Sequence, residues 1–298
     1  MTGQVEVPII SESRTGEVPP RQHGALVNEV FDSEAGSLRW KSIYERKDVY
    51  AVIHQERHTL GLALVDTLGL PQGAPVLEVG CGPGMLALAQ RRYQVQAVDR
   101  AAKMVSLTRE LIAASGFANR TGVSTAECEA LPFAGGSFDL VVALGVLPWL
   151  ASVDQALQEI VRVLRPGAYL IANVDNPFRL NRLLDPVRRL RRIAGQAFRA
   201  AGPRESAPAL TRFHSRKLFD ACLVRAGLEK MEGRMLGFGP FTLAQRQLLT
   251  DSAGVKLHRK LQWLADAGVP VLRATGAQYL VLARKASPPA GTLRQSNV

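Results

Sequence analysis

The nine residues Val76–Gly84 read Val-Leu-Glu-Val-Gly-Cys-Gly-Pro-Gly, and they join a short apolar run to a helical pattern. Glycines at 80, 82 and 84 let the backbone turn sharply and admit a ligand where any Cβ would collide. The N-terminus of the following helix offers unpaired amides to a polar or anionic group. Asp99 closes the next apolar run, 19 residues after Gly80. A carboxylate at that point of a βαβ unit can accept both hydroxyls of a ribose. The dinucleotide fingerprint GxGxxG would require glycine at 85, where Met85 stands. GxGxG preceded by an acid, Glu78, suits a nucleoside lacking a pyrophosphate.

Around this turn, short apolar runs alternate with helical stretches. The pattern predicts strands at Val76–Val79, Val95–Val98, Gly122–Ser124, Asp139–Ala143 and Tyr169–Val174. Helices are predicted at Met85–Arg92, Lys103–Ser115 and Val153–Leu164, the last stopped by Arg165-Pro166-Gly167. A helix at Ser215–Ala226 and strands at Glu229–Leu236 and Ala277–Ala283 follow, with a helix at Val255–Ala267 between those strands. This alternation argues for an α/β fold, a doubly wound sheet with helices on both faces. Upstream, Trp40 to Leu70 has helical periodicity, with Tyr50, His54 and Arg57/His58 on one stripe. The expected organisation is a flexible arm at 1–24, an N-terminal helical lid at 25–70 and a main domain at 71–286. That domain carries insertions at 176–210 and 237–276, and 287–298 forms a flexible tail.

Composition sets the compartment expected. Of 298 residues, 47% are hydrophobic and 21% charged, an ordinary globular balance. The longest apolar runs fall short of the roughly 18 residues a membrane span requires. Cys81, Cys128 and Cys222 form no CxxC pair, which argues against a disulfide framework or zinc knuckle. A cytoplasmic location is expected. The net charge of +11 is uneven, because Arg179–Arg204 holds eight arginines against one acid, Asp185. Three readings of that amphipathic stretch stay open. It could be a peripheral membrane contact, a phosphate-facing nucleic-acid patch, or a solvated helix face. The insertion 176–210 that contains it has only Phe178 and Phe198 as stacking platforms, which disfavours nucleic acid.

The segment Val76–Gly84 resembles class I S-adenosylmethionine-dependent methyltransferases, close to the small-molecule, quinone-biosynthesis type. Glu127-Cys128-Glu129-Ala130-Leu131-Pro132-Phe133, Ser137-Phe138-Asp139-Leu140-Val141 and Glu159–Gly167 carry the same resemblance. It implies a Rossmann-like seven-stranded sheet with the last strand antiparallel. It further implies that Gly80, Cys81, Gly82 and Gly84 contact the methionine and ribose portions of S-adenosylmethionine. Glu78 would organise the loop and ammonium region, and Asp99 would hold the ribose diol. Glu127 stands where the family usually places an aspartate that accepts from the adenine amino group. Arg100, Met104 and Cys128 would pack near the adenosine, with Leu144 near the methionine end.

Methyl transfer from a sulfonium requires alignment and exclusion of water; a base is needed only when the nucleophile keeps its proton. Asp175 after the fifth strand, His214 before a helix, and His54 are the base candidates, each with a capping or surface role as competitor. His54 and His58 have i, i+4 metal spacing but no third ligand, so no metal is expected. Tyr44, Tyr50 and Trp149 are candidates for the substrate wall, as is Trp40. The apolar content of 237–276 (Phe238, Phe241, Leu248, Leu249, Leu257, Leu261, Trp263) favours a hydrophobic or lipid-linked acceptor. O-methylation of such a molecule is the favoured expectation. An RNA methyltransferase steered by the arginine stretch and a non-catalytic S-adenosylmethionine-binding protein are the competitors.

Overall fold

The computed structural model describes residues 20–82, 86–180, 210–243 and 246–287. The N-terminal region folds into α1 (Pro20–Asp32), α2 (Glu34–Ser42) and α3 (Val49–Thr67). Thus α1 begins inside the stretch expected as an arm, and the helical run expected from Trp40 to Leu70 is broken at 43–48. Asp48 causes the restart: its Oδ1 accepts from the Ala51 amide at 3.1 Å, capping α3.

The sheet strands are β1 (Pro75–Val79), β2 (Gln94–Asp99), β3 (Thr121–Thr125), β4 (Phe138–Ala143), β5 (Leu164–Asp175) and β6 (Leu228–Leu236). The hairpin β7 (Thr242–Leu243) and β8 (Arg246–Gln247) stands apart, and β9 (Gln278–Lys285) returns to the main sheet. Strand order is β3-β2-β1-β4-β5-β9-β6, with β9 antiparallel to both neighbours and β1 to β5 parallel. The final strand therefore wedges between β5 and β6. The sheet is the seven-stranded, doubly wound, Rossmann-like arrangement that the resemblance implies.

Helices α4 (Leu86–Gln90), α5 (Ala102–Ser115), α6 (Val153–Val163) and α7 (Arg216–Arg225) complete the layers. In α6, Val153, Ala156, Leu157, Ile160 and Val163 recur at helical spacing, and all are buried. They join Phe219, Cys222 and Leu223 of α7 against Leu77, Val141, Leu170 and Val281 on one sheet face. Leu64 and Val65 of α3 and Leu88 of α4 cover Val76, Val95, Leu140 and Leu282 on the other. Central strands buried on both faces read as continuous apolar runs, which is why β1 and β4 were recognisable.

The segment 237–276 holds the β7–β8 hairpin, α8 (Asp251–Asp266) and the short α9 (Leu272–Thr275). Thr250 caps α8, so that helix starts four residues before the expected Val255. A small third core of Phe238, Ala265 and Leu272 holds the segment together. It is fastened to α3 through His258, which is fully buried. The Phe238 amide donates to His258 Nδ1 at 3.1 Å, and His258 Nε2 donates to Glu56 Oε2 at 2.7 Å. The arginine stretch lies outside the described residues from 181 onward, and the three readings of it stand where the sequence left them. No helix among the described residues is long and apolar enough to cross a membrane.

Candidate functional site

The carboxyl ends of β1, β2 and β4 open into one cavity, bounded on the far side by α1, α2 and α3. Where β1 stops, Gly80 takes φ +68°, and the Gly80 and Cys81 amides both donate to Val98 O, at 2.7 and 3.0 Å. A Cβ on Gly80 would fall 2.2 Å from Val146 Cγ2, so the turn is sterically committed to glycine. Gly82 takes φ +53°, and its amide donates to Asp99 Oδ2 at 2.9 Å. Ala101 N donates to Asp99 Oδ1 at the same distance. Burial pushes the Asp99 carboxyl up, opposed by the amides of Ala101, Gly82 and Arg100. The carboxylate is thus oriented by the loop, and each oxygen keeps accepting capacity toward the cavity.

Glu78, Gly80, Cys81, Gly82, Asp99, Arg100, Met104, Cys128, Leu144, Tyr44 and Trp149 all line this cavity. Gly84 lies outside the described residues. Glu127 is not a lining residue. It pairs with Arg100, whose Nη2 lies 3.1 Å from Glu127 Oε2, while Glu129 lines the wall two residues on. Burial raises the Glu129 carboxyl above the usual range. Burial also pushes both Cys81 and Cys128 thiols far up, so neither is a thiolate nucleophile.

The base candidates fall elsewhere. His54 is buried in α3, its Nδ1 donating to Tyr50 O at 2.8 Å, and desolvation and Arg57 push it down to about 3. Asp175 caps β5, with its carbonyl accepting from His214 N at 2.9 Å. Burial raises its carboxyl, opposed by Arg179 and Arg57. His214 is lowered by burial. None of these three lines the cavity. Tyr50 borders a second cavity with Arg46, Asp48, Phe241, Leu249 and Asp251, between α3 and the β7–β8 hairpin. That neighbouring wall mixes charged with apolar groups, with Arg46 and Asp48 from the loop before α3 and Asp251 from α8.

Two residues of α3 that the sequence placed on a helical stripe, Arg57 and His58, were given no part in the donor site. Arg57 is 8% exposed, lines the cavity and leaves Nε without a hydrogen-bond partner. Its guanidinium crowds Gly145, where a Cβ would sit 2.7 Å from Nη2. Desolvation lowers its affinity for a proton, opposed by Tyr44, Asp175 and Tyr50. A buried cation with an unmet donor is a ready partner for an anionic ligand group. His58, one residue on, also lines the cavity. An arginine placed on a helix's inward stripe was the available signal. The roof is apolar and aromatic: Phe31 stacks edge-on against Trp149 at 4.9 Å and lies 5.9 Å from Trp40. His23 Nε2 donates to Trp149 O at 3.0 Å, and Lys103 N donates to Asp32 Oδ1 at 2.8 Å, which docks α1 over the site. Among the described residues, no group of three or more His, Cys, Asp or Glu side chains could hold a metal ion.

Residues 77–172 match the family described as methyltransferase domain. Malonyl-[acyl-carrier protein] O-methyltransferase of Enterobacter lignolyticus is 33% identical over 163 residues, covering 54% of this chain and 57% of that protein. The ubiquinone/menaquinone biosynthesis C-methyltransferase UbiE of Geobacter sulfurreducens is 37% identical over 102 residues, 32% of this chain and 40% of that protein. The chain thus spans little more than half, or less, of the curated relatives it matches. Magnesium protoporphyrin IX methyltransferase of Synechocystis, solved with bound SAH, superposes with a TM-score of 0.58. The two share 19% identity over 88% of this chain and 99% of that one, a likeness of fold.

Proposed function

We propose that this chain, which carries a class I S-adenosylmethionine-dependent methyltransferase domain, moves a methyl group from that donor to a hydrophobic small molecule, most simply at oxygen. The observation that carries the reading is the cavity in which the Glu78–Gly82 turn and Asp99 meet an aromatic roof. Two features fit the donor. Gly82 leaves open space where a Cβ would intrude, with nothing within 4 Å, and Arg57 keeps an unmet buried N–H in the same cavity.

When bound, the donor supplies an electrophilic methyl on a sulfonium whose leaving group is a neutral thioether. The chain's own residues do the rest. Asp99, held by the Gly82 and Ala101 amides, accepts from the ribose hydroxyls. Arg57 pairs with the donor's carboxylate, and Glu78 faces the ammonium. Arg100, Met104 and Cys128 pack the adenosine, with Glu127 or Glu129 accepting from the adenine amino group. Leu144 and Tyr44 flank the methyl-bearing end, and Phe31, Trp40 and Trp149 exclude water. Alignment and desolvation of this kind can lower a barrier by roughly 7–11 kcal/mol. In this reading α1 to α3 form the cover and 71–286 the domain it covers.

Calorimetric titration with S-adenosylmethionine and S-adenosylhomocysteine tests the donor site, and absence of binding would sink it. Incubating protein and methyl-labelled donor with a cell extract, then separating organic, aqueous, RNA and protein fractions, tests the acceptor class. Label in the organic fraction is expected, whereas label confined to RNA would overturn it.

A further inference from the structure

We propose that His58 is the general base of the reaction, and therefore that the acceptor presents a proton-bearing oxygen, a phenol, enol or alcohol, rather than an already ionised carboxylate. This rests on the methyl-transfer reading above. The chain has five histidines, and the structure sorts them. His23 is committed to Trp149 O, His54 to Tyr50 O, and His258 to Phe238 N and Glu56. His214 stands away from the cavity lining. His58 alone lines the cavity, half-buried, with both ring nitrogens free of hydrogen bonds to the described residues.

Its surroundings place it at the reacting end. Tyr44 packs edge-on against its ring at 5.7 Å, Arg57 is the adjacent residue, and Gly61, one turn on, lies against Leu144. These are the residues assigned to the methionine and methyl end of the donor. The titratable and charged groups around it are Tyr44 from the loop before α3, Arg57 on α3 and Arg91 after α4, while Glu78 lines the same cavity. Burial and the two arginines hold the imidazole below its ordinary range, so the ring is neutral at pH 7, the form in which one ring nitrogen carries a free lone pair. Of the other acids in the lining, Asp99 is held by two amides, and Glu129, whose Oε2 makes no hydrogen bond and lies 4.0 Å from Arg100, belongs to the adenine end in the reading above.

The step balances. The acceptor's O–H proton moves to a ring nitrogen of His58 as an oxygen lone pair forms the new O–CH3 bond. The C–S bonding pair stays on sulfur, which becomes a neutral thioether, and the positive charge passes from sulfonium to imidazolium.

The test combines three readouts on the 298-residue chain. Nitrogen-15 spectra of histidine-labelled protein saturated with S-adenosylhomocysteine should show His58 neutral at pH 7. Replacing that ligand by S-adenosylmethionine should lower its titration midpoint further, because a positive sulfonium now lies close. Donor affinity of His58→Gln should stay within about threefold of wild type, while turnover on the organic extract falls at least 100-fold. Imidazole should restore part of the rate to His58→Ala. A His58 protonated at pH 7, a midpoint indifferent to the sulfonium, or a tenfold loss of donor affinity in His58→Gln would overturn the proposal. Failure of the wild type to bind S-adenosylhomocysteine would instead remove the donor reading.

Discussion

Gly80 and Gly82 form a matched pair of perturbations, because both have positive φ but only one is crowded. Alanine at either position must take up a left-handed conformation, at a cost of roughly 1–2 kcal/mol. At Gly82 the added methyl meets nothing within 4 Å. At Gly80 it lands 2.2 Å from Val146 Cγ2, and overpacking of that kind adds about 1–3 kcal/mol. Gly80→Ala should therefore cost about 2–5 kcal/mol and Gly82→Ala about 1–2. Combining Gly80→Ala with Val146→Ala should recover the overpacking part and leave the backbone part. Urea denaturation followed by circular dichroism measures these chains together with Val146→Ala, against which the double variant is compared. Equal costs for the two glycine variants, or no recovery in the double variant, would show that the Val146 contact does not constrain the turn.

Further outcomes follow from other parts of the structure. Asp99→Ala should weaken S-adenosylhomocysteine binding at least tenfold by calorimetry, and unchanged affinity would remove the ribose assignment. The His54 folded value near 3 lies below the unfolded 6.5, so falling pH protonates the unfolded chain first and stability is lost from about 6.5 downward. At pH 5.5 this group alone accounts for about 1.4 kcal/mol relative to pH 8, and the stability difference between the two pH values should shrink by that amount in His54→Asn when measured by denaturation. His258→Ala should cost at least about 1–3 kcal/mol, since the Phe238 amide then has no acceptor; a loss below about 0.5 kcal/mol would mean that water replaces the ring.

The strands of the sheet were legible because burial on both faces leaves a simple signature. Val76–Val79 and Asp139–Ala143 are nearly unbroken apolar runs, and each ends where a glycine or a polar residue faces the cavity. The break between α2 and α3 was not legible, since aromatic Tyr44 and Tyr50 continue the helical stripe while only Asp48 marks the restart. The hairpin β7–β8 is too short to leave a period. For the site, the turn and Asp99 lie close together in sequence and were read from spacing. Asp175 and His214 were read from their positions at element ends, which fix where the backbone stops but not where a side chain points, and His54 was read from its place on a helix. His54 and His58 share a helical stripe, yet the structure buries the first and opens the second to the cavity.

The placement of β9 has a consequence for how the chain is made. Strands β1 to β5 emerge from the ribosome in an order that lets each find a neighbour, but β5 keeps one edge bare until residues 278–285 arrive about 100 residues later. Strand β6 is left waiting too, since its partner within the sheet is β9. Once β6 is made, the chain carries the bare edge of β5 and a β6 with no strand partner, which other chains can join. A stop codon or ribosomal stall just before Gln278 would strand the protein in that state. Such a truncated product should be recovered as aggregate, even though every residue of the Glu78–Gly82 turn and Asp99 has already been translated.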